Sequence, residues 1–375
     1  MKGKLFLVVW LLILSALACN LPLGSDDEDG GSSPAEQGVA PLEAKKSAST
    51  ASDQPALERV QSWLYLIDVN LETEVVEQIA NSSYDMMVLD FIASESSNTD
   101  YPMSEVINQL HKAEHPKLVL AYIDIGEAEE YRTYWQSGWG IGNPEWIAGL
   151  DPDGWEGNYP VAYWWDEWKE IWTGPDGYLQ AIVDAGFDGV YLDWVEAYSD
   201  EIVVDFAKSD GVDARQEMIW WVGDIVDFGR GRDPDFIVIA QNAAELVESV
   251  EYVEIIDAIS QEQVWFDGGA DNDPPGDCPL PRTEADVDTQ TYRQSLSADC
   301  RRQYDDFPES TLHVSSEEYL YYLQRAAAAD LPVFTVDYAL DPDNISWTYE
   351  TSRGLGFVPF VGNRALDEFI EPYQP

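Results

Sequence analysis

Positive charge is scarce in this sequence. Of 375 residues only 20 are Lys or Arg, against 71 Asp or Glu, and the formal net charge is −51. Nucleic-acid binding of the usual kind needs a basic face for phosphate and is excluded, and the same balance argues against a polybasic grip on anionic lipid heads. Histidine is almost missing, with three in the chain. His111, His115 and His313 form no HExxH pair, so no histidine-built zinc site is expected. Three cysteines are too few for a four-thiolate site. No GxGxxG and no GxxxxGK[ST] segment occurs, which removes the main support for nucleotide chemistry. No metal and no cofactor are expected.

Apolar and aromatic residues are plentiful. The hydrophobic fraction is 45%, with 15 Trp and 20 Tyr, enough to build a large core despite the charge. The N-terminus reads as an export signal over residues 1–18. Lys2 and Lys4 precede an apolar run from Leu5 to Leu14, then Ser15-Ala16-Leu17-Ala18-Cys19. That run is shorter than the ~20 residues of a membrane span. Cys19 after small residues resembles a bacterial lipoprotein box, although Ala16 stands where Leu is usual. Lipidation at Cys19 would anchor the protein without spanning the membrane; an ordinary signal peptide and secretion are the alternative. Residues 19–57 have no apolar period and contain Ser25-Asp26-Asp27-Glu28-Asp29-Gly30-Gly31, the composition of a disordered linker. The net charge falls mostly on the folded part, 58–375. In an exported protein the two remaining cysteines, Cys278 and Cys300, are expected to pair; two free thiols in a loop are the alternative.

From Val60 onward, short β-branched or aromatic runs alternate with amphipathic stretches. The expected strands are Trp63–Ile67, Met86–Asp90, Lys117–Asp124, Val161–Trp165, Gly189–Asp193, Phe236–Asn242, Ala258–Glu262 and Pro332–Asp337. Near-continuous apolar runs suit parallel strands covered on both faces. Leu71 to Ile79, Met103 to His111 and Glu317 to Ala329 read as helices. Eight such units predict an α/β fold of the (β/α)8 TIM type, with an insertion after strand seven, Asp267 to His313, that carries both cysteines. The rival, a doubly wound open sheet, would bring a Gly-rich phosphate turn that is missing.

Acids or amides end many of these strands: Asp90, Asp124 followed by Glu127 and Glu129, Asp193, Asn242, Glu262 and Asp337. Strand ends of such a barrel converge on one face, where active sites sit. Each residue alone has a plain reading as a helix cap. Together they repel one another, so that one acid keeps a proton near neutral pH, which general-acid chemistry needs. Aromatic residues including Tyr122 and Trp164 crowd the same region. Some pack the core under long loops; aromatic faces beside paired acids point to glycoside hydrolysis.

The run Tyr122-Ile123-Asp124-Ile125-Gly126-Glu127-Ala128-Glu129-Glu130-Tyr131-Arg132, with Tyr134-Trp135, resembles the YxSIGEAExYRxYW signature of glycoside hydrolase family 114-like barrels. These are relatives of endo-α-1,4-polygalactosaminidase, some once labelled cysteinyl-tRNA synthetase-like. The resemblance continues through Gly189-Val190-Tyr191-Leu192-Asp193, Gln241-Asn242, Ile259-Ser260-Gln261-Glu262, Val333 to Tyr338 and Gly354 to Phe360. It implies a (β/α)8 fold, cleavage of galactosamine-rich polysaccharide and catalytic acids at Asp193 and Glu262. Asp124 departs from the family's Ser. On this reading Glu262 protonates the glycosidic oxygen and Asp193 is the nucleophile or the base, with the reverse assignment open. Asp90, Tyr122, Asp124, Glu127, Trp164, Asn242, Asp337 and Tyr338 would contact sugar, and Arg132 would hold Glu127 or Glu129.

The expected protein is a monomeric, exported glycosidase whose partner is a polysaccharide. A non-catalytic glycan-binding lipoprotein on the same barrel is the alternative. A metal-dependent hydrolase is the third reading, but Asp151-Pro152-Asp153-Gly154 and Asp271-Asn272-Asp273 read as turns. The acidity suits either a cationic aminosugar or a salty or acidic habitat.

Overall fold

The computed structural model describes residues 57–374, apart from positions 70, 153, 270, 271 and 309. The expected signal segment, Cys19 and all but the last residue of the expected linker lie outside the described residues. Eight strands run parallel in chain order: β1 (Trp63–Leu66), β2 (Met86–Asp90), β3 (Leu118–Asp124), β4 (Gly189–Asp193), β5 (Ile237–Gln241), β6 (Ala258–Glu262), β7 (Val333–Tyr338) and β8 (Val358–Gly362). Each pairs with the next. Among the described residues β8 and β1 share no ladder. They meet through the Trp63 indole, which donates to Val358 O at 3.0 Å, and at the rim, where Leu366 O accepts from the Ile67 and Asp68 amides. The result is a nearly closed (β/α)8 barrel.

The count of eight is as expected, but two members differ. Val161–Trp165 is not a barrel strand. It lies in the long connection between β3 and β4, where Glu127–Glu129 pairs antiparallel with Asn158–Pro160. Its aromatic run mimics a buried strand, yet Tyr163 is buried in the outer layer and Trp165 starts the helix Asp166–Thr173. The eighth place is taken by Val358–Gly362. The insertion therefore follows the sixth strand, still directly after Glu262.

Alternation along the strands fills the barrel with aromatic rings. Trp63 and Tyr65 of β1 stack at 5.9 Å, Tyr65 meets Tyr191 of β4 at 5.1 Å, and Trp63 meets Phe334 and Phe360 at 5.6 and 5.8 Å. Residues on the same face one step further along reach the C-terminal rim: Asp90, Asp124, Asp193, Gln241, Glu262 and Tyr338. Helices cover the outside. Met103–His111 buries Met103, Val106, Ile107 and Leu110, the face its spacing predicts. Gly189 is required where it stands, because a Cβ there would meet Ile237 O at 2.0 Å.

The insertion has a small apolar core of its own: Leu280, Tyr292, Leu296 and Leu312 around the Cys278–Cys300 disulfide, with an S–S distance of 2.08 Å. The expected pairing is thus present.

Candidate active site

Strand ends β4, β5 and β6 build the centre. Each delivers an inward polar residue, Asp193, Gln241 or Glu262, and each is followed at once by a residue in the left-handed backbone region: Trp194 (φ 54°), Asn242 (φ 59°) and Gln263 (φ 55°). Such backbone costs non-glycine residues free energy and recurs at functional sites. Here it turns the chain sharply away and leaves the preceding side chain on the rim.

Gln241 joins the two acids. Its Nε2 donates to Asp193 Oδ1 at 2.6 Å and to Glu262 Oε2 at 2.8 Å. These bonds cap the separation of that one pair of carboxylate oxygens at the sum of the two distances, shorter than the ~6.5–9.5 Å carboxyl gap of inverting glycosidases. Asp193 also accepts from the Tyr122 hydroxyl at 2.6 Å and the Trp194 amide at 2.8 Å. Glu262 accepts from the Tyr338 hydroxyl and from Asn242 Nδ2 at 3.2 Å, and Arg364 Nη1 lies 3.8 Å from its Oε1. Burial, then the negative charge of Glu262, pushes Asp193 up to about 7. The site therefore keeps a proton close to neutral pH.

Glu196, absent from the sequence-based set, is a third acid of this group. It sits on the turn Val195–Ser199 just after β4 and accepts from Asn242 Nδ2 at 2.7 Å. Burial and the Asp193 charge raise it well above the ordinary carboxylate range. Its spacing of three residues after Asp193 is the signal that marks it, as it is for Gln241, one residue before the expected Asn242.

The other expected contacts divide into two groups. Asp90, Tyr122, Asp124, Glu127 and Asn242 line a cavity of about 1000 Å³ together with Asp193 and Glu262. Within it Asp124 Oδ1 accepts from the Gly126 and Glu127 amides at 3.0 and 2.8 Å, and so shapes the turn that presents Glu127. Burial raises both acids well above their usual range, helped by Asp193 at Asp124 and by Asp124 and Asp151 at Glu127. Arg132 holds Asp90 at 2.8 Å and Glu129 at 2.7 Å, not Glu127. Trp164, Asp337 and Tyr338 do not line the cavity. Trp164 donates to Asp210 at 2.9 Å and packs on Phe206, on the outer layer. Strand β7 runs one residue beyond its expected end, and its register on β6, Ser260 opposite Phe334 and Glu262 opposite Val336, puts Tyr338 on the inward face and Asp337 on the outer one. There it accepts from the Trp265 and Phe266 amides at 2.6 and 3.0 Å, and burial raises it to about 8. Tyr338 takes the inward place and reaches Glu262 from behind. Beside Tyr122, aromatic surface in the cavity comes from Tyr131, Trp155 and Trp194.

Among the described residues no group of His, Cys, Asp and Glu has the arrangement of a metal site, and no helix is long and apolar enough to cross a membrane.

Comparison with known proteins agrees with this architecture. A protein of Deinococcus radiodurans is 31% identical over 360 residues, 96% of each chain. A protein of Methanocaldococcus jannaschii is 34% identical over 213 residues, 55% of this chain and 57% of that one. The fold resembles the glycoside hydrolase domain of PelA from Pseudomonas aeruginosa, with a TM-score of 0.53 at 13% identity over 82% of this chain and 97% of that one. It also resembles Aspergillus fumigatus Ega3, solved with galactosamine, with a TM-score of 0.53 at 15% identity over 86% and 98%. The model of glycoside-hydrolase family GH114 matches residues 43–374. The chain belongs to family GH114.

Proposed function

We propose that this glycoside hydrolase is an exported, lipid-anchored monomer that cleaves an aminosugar-containing polysaccharide of the galactosaminogalactan kind, with Asp193 and Glu262 as the working pair. The observation that carries the reading is the single Gln241 amide shared by two carboxylates at the barrel mouth. The closeness of one oxygen of each acid is the basis on which retention of configuration is assigned. Asp193 attacks the anomeric carbon while Glu262 gives its proton to the departing glycosidic oxygen. A bond from Asp193 to the sugar forms as the old glycosidic bond breaks. Glu262, now a base, takes a proton from water, which attacks the same carbon and frees Asp193. Each acid accepts from three donors, Asp193 from Tyr122, Trp194 and Gln241 and Glu262 from Tyr338, Gln241 and Asn242, so hydrogen bonding favours the anion at both. Asp193 is assigned the nucleophile, and the exchanged assignment is the other outcome of the leaving-group test.

Two observations support an aminosugar. Ega3, which shares the fold, was solved with galactosamine. The cavity is lined by many acids and by only two arginines, Arg132 and Arg364, a field that concentrates cationic sugars. The test is incubation with deacetylated galactosaminogalactan and mass analysis of products. Wild-type protein should release oligosaccharides, and Glu262→Gln or Asp193→Asn should each reduce turnover by about a thousandfold. Wild-type turnover in both variants would remove the pair from the mechanism. Binding without any product would favour a glycan-binding module instead.

A further inference from the structure

Glu262 Oε2 shares two amides, not one. Besides Gln241, Asn242 Nδ2 donates to it at 3.2 Å, and the same nitrogen donates to Glu196 Oε1 at 2.7 Å. Asn242 Oδ1 is occupied as well, accepting from the Glu262 amide and from Gln261 Nε2, both at 3.0 Å. Both ends of the Asn242 side chain are thus fixed, and turning the amide over would set its oxygen against two carboxyl groups. The result is a row of three acids, Asp193, Glu262 and Glu196, joined by two successive amides. The two oxygens of Glu262 are addressed differently. Oε1 faces the Tyr338 hydroxyl and lies 3.8 Å from Arg364 Nη1, whereas Oε2 faces the amides and, beyond Asn242, Glu196.

Packing alone explains Glu196 poorly. Its Oε2 is buried without a hydrogen-bond partner, a cost that an apolar side chain would not carry. The ionisable groups that bear on it are Asp193 of β4, Glu262 of β6, Tyr198 of its own turn, Tyr252 of the helix Val250–Ile255 and Tyr319 of the helix Ser316–Ala328. Glu245 takes the Tyr198 hydroxyl. Two more helices pack on the turn. Glu201–Asp210 and its cap bring Asp200 and Glu201 to the cavity wall, and Ala214–Arg230 brings Arg215, whose Nη2 donates to Glu245 O at 3.2 Å. Burial, then the charges of Asp193 and Glu262, makes Glu196 slow to ionise. Once it does ionise, its charge makes loss of a further proton from those neighbours harder. Such a role needs no contact with sugar or solvent.

We propose that Glu196 is a positioning residue for the reaction: through the Asn242 amide it orients Glu262, and its negative charge keeps the proton on the acid of the pair. This rests on the reading of Asp193 and Glu262 as the working pair, and it holds for either order of their tasks. The test follows rates on deacetylated galactosaminogalactan against pH for wild type, Glu196→Gln and Glu196→Ala. Gln keeps an acceptor for Asn242 and loses the charge, so the alkaline limb of kcat should move down by about one pH unit while the acidic limb stays. Ala loses both, so kcat should also drop about tenfold at every pH, with KM little changed. An alkaline limb unmoved in both variants overturns the proposal, as does a rise in KM alone, which would make Glu196 a sugar contact. Carbon-13 NMR titration of the carboxyl groups supplies a readout without substrate. In Glu196→Gln the proton of the pair should leave about one pH unit earlier than in wild type. Release at the wild-type pH overturns the proposal whether or not the polymer is cleaved. If the polymer stays intact in wild type while that release moves in the variant, the glycosidase reading fails and the action of Glu196 on the pair stands.

Discussion

The Gln241 amide links two acids whose proposed tasks differ, and substitution can separate them. An acid donor matters less when the leaving group departs easily, whereas a nucleophile is always needed. Glu262→Gln should therefore keep substantial cleavage of an aryl glycoside with an activated leaving group, and added azide should rescue it further. Asp193→Asn should fail on both kinds of substrate. Steady-state rates on the two substrates check this; the opposite pattern would exchange the roles. Asp193 was legible in the sequence because it ends the apolar run Gly189–Asp193, whereas Glu262 follows Ser260-Gln261 and was marked by the family resemblance. The outward place of Asp337 was not legible, because the pairing register, which the apolar run alone does not give, decides which of two successive residues faces inward. Trp164 misled for a related reason: an aromatic run reads alike in a barrel strand and in the layer outside it.

At the scale of elements, the connection after β3 depends on one buried ion cluster. Arg132 is 4% exposed and lies between Asp90 of β2 and Glu129 of the short hairpin. It also donates to Ser94 at 2.9 Å. Removing the guanidinium leaves two carboxylates buried without their cation. Arg132→Met should cost about 3–5 kcal/mol in unfolding free energy, measured by urea denaturation. Activity should fall as well, since Asp90 and Glu129 form part of the cavity wall. The parallel strands and their covering helices were readable from periodicity. The replacement of Val161–Trp165 by Val358–Gly362 was not, because both are short apolar runs next to a proline and only tertiary pairing distinguishes them.

The whole molecule responds to pH through its buried acids. Asp90, Asp193 and Asp337 are held at about 7, 7 and 8, chiefly by burial. An acid raised in the folded state keeps a proton that the unfolded chain has already released. Its contribution to stability is complete below the unfolded value of ~4 and is lost as pH rises through the folded one. The melting temperature should therefore decline from about pH 4 to about pH 8, each group adding a slope of up to ~1.4 kcal/mol per pH unit. Asp337→Asn should flatten part of that decline in a calorimetric pH series; a flat profile in the wild type would contradict the buried-acid account.

The barrel is a ring fastened by a clasp. Seven of its joins are sewn by backbone pairing, while the eighth holds by an indole and a carbonyl on the rim. A clasp can come undone without tearing any stitch, so heat or force should part the first strand from the last before the acid-bearing strands on the far side feel it. The proposed catalytic pair, on the fourth and sixth strands, occupies the stretch of the ring that yields last.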